Sequence, residues 1–277
     1  MRTRLRLHLL PAVFAIALVG SGCDVNIGEH GFSMDLASGK ATDEWRRTYT
    51  LPASGRLEIT NMNGAISATP AEGGAVEVRA ERIAKASSDE AAQEFLKKIQ
   101  IVETATADHV RIETKAPKGS FGRGGHEVRY FVKVPRGLSM NFETVNGGVR
   151  LENIDGQIVA STTNGGVRGS GLKGSVKAST TNGGVEIEMA SLNANVELET
   201  TNGGIRLRLP RDAKATIDAH CVNGGISMAE GWNGLEQTEK SRREFRGTLN
   251  GGGATVSVET VNGGIRIGPS GPRAETN

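Results

Sequence analysis

The tripeptide Asn-Gly-Gly recurs along this sequence at a nearly constant spacing. Six copies at this spacing begin at Asn146, Asn164, Asn182, Asn202, Asn223 and Asn262. The successive intervals are 18, 18, 20, 21 and 39 residues, and the last is close to two periods. Self-similarity at a fixed period is typical of a repeat architecture, in which neighbouring units bury a continuous core. The chain is therefore expected to stack several copies of one structural unit.

The residues on both sides of each Asn-Gly-Gly alternate between two chemical types. A Val or Ile stands three residues after each asparagine, and a Thr or Cys stands two residues before it. This period of two predicts a strand, a glycine corner and a second strand. If each period forms one coil of a β-solenoid, equivalent residues lie about 4.8 Å apart in columns. We therefore predict an all-β, single-chain β-solenoid (β-helix) over residues 46–268, with about seven coils of 18–21 residues.

An Asn-Gly pair between alternating runs is also a strong hairpin signal, so a meander of antiparallel hairpins is the alternative fold. Hairpins would place the turns at separate tips and give no reason for the same Thr and Asn to recur in one phase. The stacked arrangement explains that recurrence, because amide side chains can then hydrogen-bond from coil to coil. We expect a structural ladder of inward-facing asparagines at Asn146, Asn164, Asn182, Asn202, Asn223 and Asn262.

Other segments depart from the repeat. Ser87-x-x-Glu90 has the form of a helix capping box, and the apolar residues that follow have helical spacing, so we predict one short amphipathic helix near 88–99. A polar stretch near 232–246 is predicted to be a loop inserted into one repeat. Residues 23–45 are expected to form a flexible tether, and residues 269–277 a disordered tail.

The amino terminus has the organisation of a bacterial secretory signal. Three arginines precede an apolar run over residues 7–19, and small residues follow directly before Cys23. We predict a signal peptide over residues 1–22 and lipid attachment at the Cys23 thiol; the alternative is simple secretion with Cys23 unpaired. The lipid would anchor the exported chain to a membrane of the cell envelope, on the periplasmic side or the outer surface.

The order of these segments resembles the bacterial DUF4097 family, whose members are called putative adhesins. The resemblance covers approximately residues 50–268. It is most specific in the Val-Pro-Arg-Gly segment at 134–137, in the Glu-Thr-Val-Asn-Gly-Gly that begins at Glu143, and in the related segment at 259–265. The resemblance implies a single-chain β-helix in a cell-envelope setting, and it supplies no catalytic residues.

Candidate functional residues lie at outward positions of the predicted strands. Arg150, Arg168, Arg206 and Arg266 share one phase. The first three, interrupted by Glu186, could form a weak strip for an anionic ligand. The alternative is that they are solvated charges that keep the face soluble. Glu143, Glu199 and Glu259 share another phase. Glu143 and Glu199 lie three coils apart, about 14 Å, which is too far for a cooperating acid pair.

No catalytic, cofactor-binding or metal-binding residues are predicted, and the histidines show no paired ligand spacing. The net charge of +2 gives no general reason to bind nucleic acid. The favoured function is a non-catalytic envelope lipoprotein that presents a rigid surface for adhesion, binding or scaffolding, with a glycan or an envelope protein as partner. The alternatives are a polysaccharide-active β-helix enzyme and a regulatory envelope-stress component that acts through a protein partner.

Overall fold

The structure is a computed structural model that describes residues 25–28, 31–34, 39–117, 124–232 and 234–270. The predicted signal peptide and Cys23 lie outside these residues. Before the helix the chain forms β1 (Val25–Gly28), β2 (Gly31–Met34), β3 (Gly39–Thr50), β4 (Arg56–Asn63), β5 (Ile66–Pro70) and β6 (Ala75–Ala86). The helix, α1, spans Asp89–Leu96.

Strands β7 to β15 follow the helix. They are β7 (Gln100–Ala105), β8 (His109–Lys115), β9 (Gly125–Val134), β10 (Ser139–Asn146), β11 (Val149–Glu152), β12 (Ile158–Asn164), β13 (Val167–Leu172), β14 (Val176–Asn182) and β15 (Val185–Met189). The remaining strands are β16 (Val196–Asn202), β17 (Ile205–Leu209), β18 (Ala215–Asn223), β19 (Ile226–Met228), β20 (Leu235–Lys240), β21 (Glu244–Leu249), β22 (Ala254–Asn262) and β23 (Ile265–Pro269).

Two large sheets face each other across the core. Sheet 1 has the strand order β20-β21-β18-β22-β16-β14-β12-β10-β4-β8-β7. Sheet 2 has the order β19-β23-β17-β15-β13-β11-β5-β9-β6-β3. Each regular coil places one strand in each sheet, and the Asn-Gly corner joins the two strands. Neighbouring coils pair in parallel, with each asparagine aligned to the next along sheet 1. This arrangement confirms the predicted β-solenoid.

Like residues stack in columns inside the solenoid. The residues three positions after the corner asparagines are at most 2% exposed at Val149, Val167, Val185, Ile205 and Ile265. Ile226, in the coil at the end of the stack, is half-buried. Beside them runs a column of buried threonines, and each hydroxyl donates to a glycine carbonyl of the adjacent coil at 2.7–3.0 Å. In the column Asn61 replaces threonine at one end and Cys221 at the other. The threonine hydroxyls of the corners are therefore paired with backbone carbonyls.

The first glycine of each corner is required by close packing between coils. A Cβ placed on Gly183 would lie 1.9 Å from the carbonyl oxygen of Gly165, and the equivalent position Gly203 has the same clearance from Gly183. The second glycine has more room, since a Cβ on Gly184 would lie 3.3 Å from the nearest backbone oxygen. Ala65 occupies this second position in the first coil, so the fold accepts a side chain there.

The last coil in the sequence is not the last coil in space. Strand β22 lies between β16 and β18, and β23 lies between β17 and β19. The coil that contains Asn262 therefore inserts between the coils of Asn202 and Asn223. Sequence order had placed the Asn223 coil directly after the Asn202 coil, and the structure corrects this stacking order.

The segment between these two coils is not a loop. Residues near 232–246 were expected to form an inserted loop, but 235–240 and 244–249 form an antiparallel hairpin that extends sheet 1 beyond β18. The hairpin turn also covers the edge of the terminal coil, because the carbonyls of Arg242 and Arg243 accept hydrogen bonds from Ile226 and Cys221 at 3.0 and 2.9 Å. An edge of unpaired backbone groups is thus closed.

The folded region begins earlier than the predicted tether allowed. Residues 39–45 belong to β3, which pairs antiparallel with β6 over its whole length. The helix is also shorter than predicted, and its N-cap is Ser88, whose hydroxyl accepts from the Ala91 amide at 3.2 Å. At the carboxyl end β23 continues to Pro269, and the amide of Ser270 donates to Leu209 at 2.7 Å. Most of the predicted tail, 271–277, lies outside the described residues.

Candidate functional site

The asparagine side chains form a continuous hydrogen-bonded ladder along one edge of the solenoid. Each amide nitrogen donates to the amide oxygen of the adjacent coil at 2.7–3.0 Å. In spatial order the members are Asn63, Asn146, Asn164, Asn182, Asn202, Asn262 and Asn223. The side chains from Asn146 to Asn223 are exposed, not interior as the sequence suggested. They sit where the pleated strand ends, so they point along the edge of the corner.

His126 stands at one end of this ladder. The Asn63 amide nitrogen lies 3.3 Å from His126 Nε2, which accepts the hydrogen bond when that nitrogen carries no proton. Burial lowers the pKa of His126, which favours the neutral ring that this contact needs. The ring also contacts Phe95 edge to face, with a centroid distance of 6.0 Å. The ladder is therefore a structural feature, and His126 at its end is a group that can gain or lose a proton.

Arginines form a row across the outer face of sheet 2. Arg150 aligns with Arg168, Arg168 with Glu186, and Glu186 with Arg206. Arg266, which the predicted strip does not include, aligns directly with Arg206. We define the arginine row as Arg150, Arg168, Arg206 and Arg266. All four side chains are exposed.

The arginine row has few internal partners. Arg206 donates to Glu186 at 3.0 Å. Within the described residues no salt bridge forms at Arg150, Arg168 or Arg266. Like charges on adjacent strands destabilise a sheet, so Arg150 repels Arg168 and Arg206 repels Arg266, and of these four only Arg206 has an acidic partner among the described residues. An acidic partner would relieve this repulsion.

A shallow groove runs beside the arginine row. Its floor is the second glycine of successive corners, and we call it the glycine groove: Gly148, Gly166, Gly184, Gly204, Gly264 and Gly225. A volume of about 550 Å³ opens between this floor and the side chains of Arg168, Arg206 and Arg266. The bare floor lets a ligand approach the backbone closely.

The outer face of sheet 1 has the opposite charge. Glu143, Glu199 and Glu259 occupy one outward column, which we call the acidic row, with Ser161 and Ser179 between its first two members. Among the described residues none of the three glutamates forms a salt bridge. Burial raises the pKa of Glu199, and its hydrogen bond with Glu197 and the charge of that neighbour raise it further. In the adjacent outward column the Lys177 ammonium lowers the pKa of Glu197, to which it donates at 2.8 Å.

Two of these glutamates are neighbours. Glu199 pairs in register with Glu259, and Glu259 with His220. The sequence alone does not reveal this pair, because the order of the repeats does not place the Asn262 coil beside the Asn202 coil. Adjacent strands are about 4.8 Å apart, so the two carboxylates can share a ligand or a proton.

A ridge of exposed side chains flanks the acidic row. We call it the β-branched row, and in spatial order its members are Val145, Thr163, Thr181, Thr201, Val261 and Val222. Its valines are 38–44% exposed, which is high for apolar residues on a folded surface. A groove of about 610 Å³ runs along this face, lined by the acidic row and the β-branched row. Both faces of the solenoid therefore carry open, periodic grooves.

Metal and membrane features are limited in the part of the chain that the structure describes. No group of three or more His, Cys, Asp or Glu side chains there could hold a metal ion. The helix of the described chain is far too short to span a bilayer.

Three solved structures resemble this chain, and the first of them supports the fold. A putative cell adhesion protein from Clostridium sporogenes superposes with a TM-score of 0.50 at 13% identity, over 83% of this chain and all of that one. A putative adhesin from Bacteroides fragilis gives a TM-score of 0.34 at 9% identity, covering 82% of this chain and 97% of its own. A putative lipid binding protein from Parabacteroides distasonis gives 0.32 at 12% identity, covering 83% and 97%.

Comparison with curated proteins finds no match. The family model described as Toastrack DUF4097 matches residues 50–268, from the end of β3 to the last strand. This match spans all the regular coils, the helix and the hairpin, and it confirms the resemblance seen in the sequence. The chain therefore belongs to the Toastrack DUF4097 family.

Proposed function

We propose that this protein is a non-catalytic protein of the cell envelope that presents its rigid solenoid faces for adhesion, binding or scaffolding. The arginine row carries this proposal, because four exposed arginines stand in register beside an open groove and three have no salt-bridge partner among the described residues. A surface of this kind recognises acidic groups, since guanidinium groups bind carboxylates and phosphates in a fixed fork geometry.

The envelope location rests on two supports. The amino-terminal sequence has the pattern of an export signal that ends at a lipidated cysteine. A solved structure that shares the fold is described as a putative cell adhesion protein. The lipid would hold the solenoid at a membrane without a spanning helix. Labelling of the full chain with a radioactive fatty acid, lost in Cys23→Ser, tests the anchor; equal labelling of both would contradict it.

Binding to purified envelope fragments tests the surface. The full chain is sedimented with these fragments, and the bound fraction is compared with that of Arg168→Glu/Arg266→Glu. We expect the double variant to lose most of the binding at low salt, because it reverses two of the four charges in the row. Arg136→Glu/Lys214→Glu is the matched control, since it makes the same change in net charge at exposed residues between strands. Equal retention of all three proteins would contradict the proposal.

One observation favours a second function. The raised pKa of Glu199, beside Glu259 on the adjacent strand, is the kind of asymmetry that a polysaccharide-active enzyme uses for acid and base roles. An enzyme would release reducing ends from a polysaccharide, and Glu259→Gln would abolish the release. Binding without release of reducing ends supports the non-catalytic proposal.

A further inference from the structure

The two outer faces of one chain are complementary to each other in charge. Sheet 1 carries the acidic row and sheet 2 carries the arginine row. Glu143 lies three residues before its corner asparagine and Arg150 lies four residues after it, so both stand at about the same distance from the corner. Within one chain these two side chains are on opposite faces, separated by the buried core. Their correspondence therefore has no role inside a single molecule.

We propose that copies of this chain stack face to face, with sheet 1 of one copy on sheet 2 of the next, parallel and in register. The proposal rests on the binding role proposed above and names the partner as a second copy. Shifting one copy perpendicular to its sheets, without rotation, places each outward column of its sheet 1 opposite the column of the neighbour's sheet 2 that lies at the same distance from the corner. Five oppositely charged pairs then face each other across the interface: Glu143 with Arg150, Glu199 with Arg206, Glu259 with Arg266, Lys177 with Glu188, and Glu197 with Arg208.

The register follows from charges that are already paired within each face. On sheet 1 Lys177 donates to Glu197 at 2.8 Å, and on sheet 2 Arg208 donates to Glu188 at 3.4 Å. In the proposed register these two ion pairs lie over each other with alternating sign. If one copy shifted by one coil along the stack, Lys177 would face Arg208 of its neighbour. A shift in the other direction would place Glu197 opposite Glu188. Like charges brought together at an interface disfavour both shifts.

The shapes of the faces also match in this register. Each residue of the β-branched row lies one position before its corner asparagine, and each glycine of the glycine groove lies two positions after it. The translation therefore seats the β-branched row of one copy over the glycine groove of the next. Val145 faces Gly148 and Thr181 faces Gly184, as do their equivalents in the other coils. This packing would cover the exposed valines. It would also explain why glycine occupies the second corner position, since Ala65 shows that the fold of a single chain accepts a side chain there.

The stack would be open-ended. The two surfaces are different patches of the same molecule, so each added copy exposes a fresh face of either sign, and no rotation closes the assembly. Copies that share one membrane would all point the same way, as the parallel arrangement needs. A row of solenoids at the membrane is the expected product.

Charge reversal on single faces tests this interface. The full chain carrying Cys23→Ser, which removes lipid as a cause of association, is followed by sedimentation velocity at low and high salt. We expect oligomers that grow with concentration at low salt and dissociate at high salt, because salt screens exposed charges. Glu143→Arg/Glu259→Arg and Arg150→Glu/Arg266→Glu should each raise the dissociation constant at least tenfold.

Mixing the two reversed variants gives the sharpest result. The reversed sheet 1 of one matches the reversed sheet 2 of the other, and their remaining faces still match, so the mixture should associate as the parent does. Glu72→Arg/Glu230→Arg should associate unchanged. A parent that stays monomeric, or reversed variants that do not rescue each other, would overturn the inference. A monomer that still binds envelope fragments through the arginine row would leave the proposed function standing.

Discussion

Adjacent glycines in one corner should respond very differently to the same substitution. In Gly183→Ala the new methyl group would lie 1.9 Å from the Gly165 carbonyl oxygen and 2.5 Å from its carbon, both backbone atoms of the neighbouring coil. In Gly184→Ala the nearest backbone oxygen is 3.3 Å away. The first contact is far inside van der Waals distance and cannot be relieved by a rotamer change. The second requires a shift of only a few tenths of an ångström.

The expected magnitudes follow from this geometry. Overpacking a close-packed interior costs about 1–3 kcal/mol and sometimes more, and here coils must separate, so we expect at least about 3 kcal/mol for Gly183→Ala. Gly184→Ala should change the free energy of unfolding by less than about 1 kcal/mol, because the strain is small and alanine reduces the freedom of the unfolded chain. Urea denaturation followed by circular dichroism measures both. Equal effects of the two substitutions would refute the argument that coil-to-coil contact fixes the first glycine.

Three further results are expected. Asn182→Ala removes two exposed hydrogen bonds between side-chain amides and should lower the free energy of unfolding by about 1–2 kcal/mol, measured by urea denaturation. An unchanged free energy would contradict the stabilising role of the ladder. Thr180→Val leaves the buried Gly165 carbonyl without its donor and should cost about 1–3 kcal/mol, and an unchanged stability would count against that bond. The folded pKa of His126 lies below its ordinary value of about 6.5, so the stability that the neutral ring contributes is present above that pH and is lost as the pH falls through the folded pKa. Melting temperatures of the parent and His126→Gln should therefore diverge below about pH 6.5, and parallel curves would contradict this.

Much of the fold could be predicted because the periodic structure of a solenoid requires a periodic sequence. A coil must return to the same position after each turn, so the inward valines and threonines recur with the period of the coil. The columns and the strand–corner–strand unit followed directly from that recurrence. The exposure of the asparagines could not be predicted in this way. Side chains alternate between inward and outward only within a strand, and the strand ends at the corner.

The stacking order could not be read in the same way. An interval of 39 residues between Asn223 and Asn262 does not say on which side of the previous coil the last one docks. Strand β22 pairs with both β16 and β18, which gives the Asn262 coil two parallel partners. The other edge of β18 then pairs with the hairpin. The neighbour relations Glu199–Glu259 and Arg206–Arg266 depend on this insertion, and so the sequence showed the residue types of both rows without their contacts.

Cross-linking between outward positions tests the stacking order most directly, because the alignment of both charged rows depends on it. Adjacent strands place Cα atoms about 4.8 Å apart, within the range of a disulfide, whereas strands separated by another strand lie beyond about 7 Å. Under mild oxidation, with Cys23 replaced by serine and buried Cys221 by threonine, Glu199→Cys/Glu259→Cys should form an intramolecular disulfide, and Glu199→Cys/His220→Cys should not. A disulfide in the second variant and none in the first would show that the coils stack in sequence order, and would contradict this account.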